Sequence, residues 1–149
     1  MLVHNPIDSQ GKKLELPEHT TVYAMKAPKA LSDPKKAVSE ALANPIASDS
    51  FQSIAKAKLD ANPQAKAVIV ISDNTRPVPY KGEGNILVPL LEVLLETGYK
   101  KENLTVLIAT GTHRPMTDDE IERIIDPWVF EHGIAIINHD CKEDDNLTY

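Results

Sequence analysis

The sequence predicts an α/β fold, a mostly parallel sheet with helices on both faces. Three observations lead there. Runs of aliphatic and β-branched residues at 67–72, 104–109 and 133–138 are short and continuous, the pattern of strands buried on both faces of a parallel sheet. Segments of helical periodicity precede and separate these runs. Each run also empties directly into a polar loop. In open α/β sheets, such loops gather on one rim beyond the carboxyl ends of the strands, where ligands bind.

Taken in order, the elements read as follows. Thr20-Thr21-Val22-Tyr23-Ala24-Met25 alternates and predicts an edge strand. Asp33-Pro34 supplies an N-cap with proline at the first helical position. Ala37, Val38, Ala41 and Leu42 then recur at helical spacing until Asn44-Pro45 stops them. Phe51, Ile54, Ala55 and Leu59 define a second apolar face ending before Asn62-Pro63. After the first buried strand and its loop, residues 89–96 predict a buried crossover helix, with Gly98 placed for a left-handed C-terminal turn. The second strand, 104–109, leads into a loop and then into Thr117-Asp118-Asp119-Glu120, a capping box that starts a helix carrying Ile121, Ile124 and Ile125. The third strand ends in His139-Asp140-Cys141. Strands alternating with helices imply right-handed βαβ crossovers and a Rossmann-like arrangement, although Gly82-Glu83-Gly84 lacks the spacing and position of a dinucleotide fingerprint.

The 149 residues suffice for one domain with a real core, and 42% hydrophobic with 26% charged residues is an ordinary globular balance. A formal net charge of -6 leaves no Lys/Arg surplus to displace counterions from phosphates, which argues against a nucleic acid or an anionic membrane as partner. No stretch approaches the ~20 apolar residues that span a bilayer, and the start lacks a basic, apolar leader, so a cytoplasmic location is expected. Cys141 is the only cysteine and can form no intramolecular disulfide. The polar run Lys142-Glu143-Asp144-Asp145-Asn146 predicts a solvated loop.

Candidate chemistry concentrates in two loops. Asp73-Asn74-Thr75-Arg76 places a carboxylate, an amide, a hydroxyl and a guanidinium in succession, and Pro77 and Pro79 restrict the backbone that presents them. The planar fork of Arg76 suits a carboxylate or phosphate, and Asp73 either orients it or binds a hydroxyl; alternatively, the two simply pair with each other. His113 lies in Gly111-Thr112-His113-Arg114-Pro115. Histidine exchanges protons near neutral pH, and the amides of the following helix favour an anion nearby. The structural alternative is a histidine that only hydrogen-bonds its loop. No metal site is expected, since His139-Asp140-Cys141 are adjacent residues that rarely converge on one ion.

The motifs Ser72-Asp73-Asn74-Thr75-Arg76-Pro77-Val78-Pro79 and Gly111-Thr112-His113-Arg114-Pro115-Met116-Thr117, each after a buried strand, together resemble the amino-terminal domain of the nickel-pincer lactate racemase family. Ala41-Leu42-Ala43-Asn44-Pro45-Ile46 and Asn138-His139-Asp140 extend the resemblance over most of the chain from about Leu14 onward. It implies a racemase or epimerase of a small 2-hydroxy acid, lactate being the type case, that works by hydride transfer through a nickel pincer nucleotide. By the same resemblance, His113 matches a catalytic histidine and Arg76 an arginine near substrate and cofactor. Asp73 and Thr75 match neighbouring substrate- or cofactor-binding positions. The family's second catalytic histidine, cofactor-bearing lysine and nickel-binding histidine match nothing here. Residues 1–149 are therefore expected to be the amino-terminal domain of a larger two-domain enzyme, with the carboxyl-terminal segments as its partner and little activity alone. The alternative is a non-catalytic α/β module that binds a nucleotide or carboxylate.

Overall fold

The computed structural model describes residues 2–4, 13–23 and 25–143. It divides into two units, Met1–Ala30 and Leu31–Tyr149. In the first, β1 (Leu2–His4) pairs antiparallel with β2 (Lys13–Glu15), Val3 opposite Leu14. The strand expected at 20–25 is not found. Residues 20–23 are irregular, Val22, Tyr23 and Met25 are exposed, and Ala24 lies outside the described residues. Alternation fixes a strand only where a partner edge and a burying surface exist, and among the described residues this segment pairs with no strand.

The second unit opens with two helices at their expected places. In α1 (Pro34–Ala43) the Asp33 carboxylate accepts from the Lys36 amide at 2.9 Å, and Asn44 ends the helix before Pro45. In α2 (Phe51–Ala61) Ser50 caps the Ser53 amide. The sheet follows: β3 (Ala67–Ser72), β4 (Leu104–Ala109) and β5 (Ala135–Asn138), all parallel, in the order β3-β4-β5. The α/β class and parallel sheet are as the sequence predicts. Residues 144–146 of the polar run lie outside the described residues, while Lys142 and Glu143 are exposed as expected.

Between β3 and β4 runs α3 (Leu87–Thr97), two residues earlier than its apolar spacing suggests. The Asn85 side chain accepts from the amides of Leu87 at 2.8 Å and Val88 at 3.1 Å, and Pro89 has no amide to satisfy, so the proline sits in the third helical position. Gly98 closes α3 with φ +112°, as its position predicts. Between β4 and β5 run α4 (Asp118–Ile124) and α5 (Pro127–Glu131). The short α5 was not foreseen, although Asp126-Pro127 carries the same cap-and-proline signal as Asp33-Pro34, and the Asp126 carboxylate accepts from the Trp128 amide at 3.1 Å.

Both crossovers step in the same direction across the sheet, so right-handed crossing places α3, α4 and α5 on one face. There Ile71, Leu104, Val106 and Ile108 close on Leu87, Leu91 and Leu94 of α3, Ile121 of α4, and Ile125 and Val129. This is the core. The expected burial of the strands on both faces is met on this side alone. On the other face Val68, Val70 and Ile137 are 57%, 62% and 52% exposed. Among the described residues no helix is long and apolar enough to cross a membrane.

Candidate active site

The parallel register brings the carboxyl ends of β3, β4 and β5 to one rim, Ser72 level with Ala109 and Ile108 level with Asn138. Both candidate loops start with a tight turn at the strand end. In the first, the Arg76 amide donates to the Asp73 carbonyl at 3.3 Å. In the second, the His113 amide donates to the Thr110 carbonyl at 3.1 Å, with Gly111 at φ +61°. A side chain would strain that backbone, which is why glycine stands there. Asp73 thus opens its turn and His113 closes its own.

The two side chains meet. His113 Nδ1 lies 2.6 Å from Asp73 Oδ2. The other carboxylate oxygen, Oδ1, accepts from Thr75 Oγ1 at 2.5 Å and from the Thr75 amide at 3.2 Å. The hydrogen bond from the Thr75 hydroxyl, followed by that to His113, holds the Asp73 carboxyl below its ordinary range against the opposing effect of burial. An ionised carboxylate only accepts, so Nδ1 carries the proton and Nε2 of a neutral ring is left with its lone pair. The Asp73 side chain is 6% exposed and that of His113 56%, so the orienting group is buried and the basic nitrogen belongs to a ring open to the rim.

Arg76 is exposed and makes no ion pair among the described residues. The pairing of Asp73 with Arg76, weighed above, does not occur; Asp73 serves His113 instead, and Arg76 is left available for an anion. Thr75 lies where the sequence places it, and its bonds are to Asp73.

A second set of contacts, which motif spacing did not reveal, ties the loops together. Arg114 grips Glu120 through Nη1 and Nη2, both at 2.8 Å. Asn74 Nδ2 donates to Glu120 Oε1 at 3.1 Å across the two loops. The Thr117 amide donates to Glu120 Oε2 at 2.9 Å, completing the predicted capping box. Arg114, above all, lowers the Glu120 carboxyl to about 2. These contacts revise one expectation: the start of α4 is capped by Thr117 and Glu120 and carries Asp118, Asp119 and Glu120 in its first turn, and those carboxylates disfavour an anion there.

The third strand braces the arrangement. The Asn138 side chain accepts from the Met116 amide at 3.2 Å and donates to the Met116 carbonyl at 2.7 Å. Thr110 Oγ1 donates to the His139 carbonyl at 2.8 Å. At the exit of the first loop the buried Tyr80 hydroxyl receives the Ser72 amide at 3.0 Å. His132 stacks on Trp128, ring centroids 3.7 Å apart. Among the described residues no three His, Cys, Asp or Glu side chains converge as a metal site.

Fold and site together define a parallel α/β domain whose rim presents a carboxylate-oriented histidine on one loop and, on the other, an exposed arginine with no ion pair among the described residues. A sequence model of the lactate racemase N-terminal domain matches residues 7–149. The lactate racemase of Lactiplantibacillus plantarum is 33% identical over 106 residues, 71% of this chain and 21% of that protein. The lactate racemase of Thermoanaerobacterium thermosaccharolyticum is 34% identical over 110 residues, 74% of this chain and 23% of that protein. This chain belongs to the lactate racemase N-terminal domain family. The matched stretch is between a fifth and a quarter of the length of these curated relatives.

Proposed function

We propose that this chain is the amino-terminal domain of a larger two-domain racemase or epimerase of a small 2-hydroxy acid, with lactate as the type substrate. Family membership supports the reaction class, and the 2.6 Å bond from His113 Nδ1 to Asp73 Oδ2 supports the role of the histidine. That bond fixes the tautomer and turns Nε2 into the proton acceptor. His113 Nε2 takes the substrate hydroxyl proton and returns it after the configuration at carbon 2 has changed. Asp73 stabilises the imidazolium that forms meanwhile. Arg76, unpaired and exposed, grips the substrate carboxylate or an anionic group of the cofactor. Thr75 acts through Asp73, holding its second oxygen.

The nickel pincer nucleotide implied by the family resemblance supplies a hydride acceptor when bound. By the same resemblance, nickel ligation and cofactor attachment belong to segments of the longer enzyme other than the two motifs matched here. This domain contributes acid–base chemistry and anion recognition. The remaining segments of the longer chain are its partner, and the catalytic cycle takes place in a cytoplasmic enzyme.

The test uses the complete protein, loaded with cofactor, and follows interconversion of the lactate enantiomers by chiral chromatography. His113→Ala is expected to lower turnover by about 100-fold or more, the usual contribution of a positioned acid–base group. Arg76→Ala is expected to raise KM. If His113→Ala leaves turnover intact while Arg76→Ala abolishes ligand binding, the domain is a binding module and the catalytic role is wrong.

A further inference from the structure

The surface left open by the fold lies on one side of β3. Beside that strand runs a groove of about 810 Å³, lined by Phe51, Ile54, Val68, Val70, Leu90 and Leu94 among others. It continues onto the exposed sheet face, where the register sets Val70 level with Leu107 and Leu107 level with Ile137. Strand β3 is the last in the order β3-β4-β5, so among the described residues its outer edge is unpaired. The Ser72 amide shows which backbone groups point outward, because it bonds to the Tyr80 hydroxyl. In a parallel strand, residues alternate between the two edges, so the N–H and C=O groups of Val70 and Val68 face outward too. Unpaired backbone beside exposed valines is a template for one more strand.

We propose that this edge and face seat a β-strand and its crossover helix, contributed by sequence that the longer lactate racemase relatives carry outside the matched stretch. The match covers 21% and 23% of those relatives, which leaves them ample chain to supply both elements. Handedness then selects the face. The crossovers from β3 to β4 and from β4 to β5 run one way and lie on the core face. A right-handed crossover that returns from the β5 side to a strand beyond β3 runs the other way and must lie on the opposite face, over Val68, Val70, Leu107 and Ile137. The side chains there are aliphatic, as a packed helix requires. The Tyr80 hydroxyl already occupies the Ser72 amide, so the incoming strand pairs along β3 only up to that point.

The same geometry explains where the site lies. With a strand added outside β3, crossovers diverge to opposite faces at the β3 edge. The crevice at such a reversal, at the carboxyl ends of the strands, is where open α/β sheets bind ligands. Asp73 stands at the carboxyl end of β3. The added unit therefore becomes one wall of the crevice that His113 and Arg76 face.

The inference rests on the proposed longer chain but not on the proposed reaction, and its test reads no turnover. In the full-length native protein, hydrogen exchange at the Val68 and Val70 amides is followed without any substitution. In a Cys141→Ser background, the thiols introduced by Val70→Cys and Ile137→Cys are timed against maleimide, with Glu96→Cys on the exposed side of α3 as reference. The expected result is protection of both amides, and labelling at 70 and 137 about 100-fold slower than at 96, because reaction then awaits local opening. That protection should not change with protein concentration. Rapid exchange of both amides, or labelling at the reference rate, overturns the proposal. Protection that disappears on dilution also overturns it, since a second copy of the chain would then be the occupant.

Discussion

At position 73 a carboxylate serves a histidine only if it keeps its charge, and the Thr75 hydroxyl and His113 ring both favour the ionised form. Asp73→Asn tests that dependence. The amide keeps the shape but can present its NH2 to Nδ1, which selects the wrong tautomer and removes the charge that stabilises the imidazolium. In the complete enzyme we expect kcat to fall by about 100-fold or more while KM changes little, the signature of a group that acts on the transition state. A kcat near the wild-type value would remove Asp73 from the mechanism. Asp73, Thr75, Arg76 and His113 were legible as residues of one rim, because a parallel sheet delivers post-strand loops to the same end. Their pairing was not. Whether Asp73 turns to Arg76 or to His113 depends on two backbone turns and on the 40-residue separation closed by the sheet register, neither of which is written in local spacing.

The loops hold these residues because their ends are tied down, and each tie predicts a measurable loss. Gly111→Ala meets no atom within 4 Å but must adopt φ +61°, so a destabilisation of about 1–2 kcal/mol in urea unfolding comes from backbone strain alone. Asn138→Ala removes the partner of both backbone groups of the buried Met116, a loss of about 1–3 kcal/mol per unsatisfied group. An unchanged unfolding midpoint for Asn138→Ala would mean that the second loop needs no brace from β5. Glu120, which joins the loops, has a pH signature. Its folded carboxyl titrates at about 2, below the ordinary 4.5, chiefly because of Arg114. A depressed acid contributes stability that is fully present above 4.5 and is lost as pH falls toward 2. Between those values the Asn74–Glu120–Arg114 bridge should weaken, visible as a carboxyl resonance titrating near 2 and abolished by Glu120→Gln. Titration at the ordinary value would show that the bridge does not form in solution. Caps and prolines made most helices legible, as at Asp33-Pro34 and Thr117–Glu120, since those signals act within one turn. The segment at 20–25 misled because a strand needs a distant partner, and the start of α3 shifted because Asn85 caps from outside the apolar pattern.

For the second unit as a whole, the decisive asymmetry is between the two sheet faces. Leu104, Val106 and Ile108 are 0% exposed, whereas Val68, Val70 and Ile137 on the opposite side are more than half exposed. Continuous aliphatic runs read alike whether both faces are covered or one, so composition could not distinguish these cases; the direction of the two crossovers does. Apolar side chains held open to water on a sheet face beside an unpaired edge favour self-association. The chain of 149 residues, taken by itself, is therefore expected to dimerise or aggregate with rising concentration in light scattering. Val70→Lys or Ile137→Lys should each weaken that association by about tenfold or more, since covering one such aliphatic side chain stabilises by about 1.5 kcal/mol. The same substitutions act differently in a full-length protein whose own strand and helix fill the surface. There a charge meets a packed interior, and the expected effect is a lowered unfolding midpoint with no change in oligomeric state. A 149-residue chain that stays monomeric at high concentration, with both substitutions silent, would mean that this face tolerates water and has no structural need of a cover.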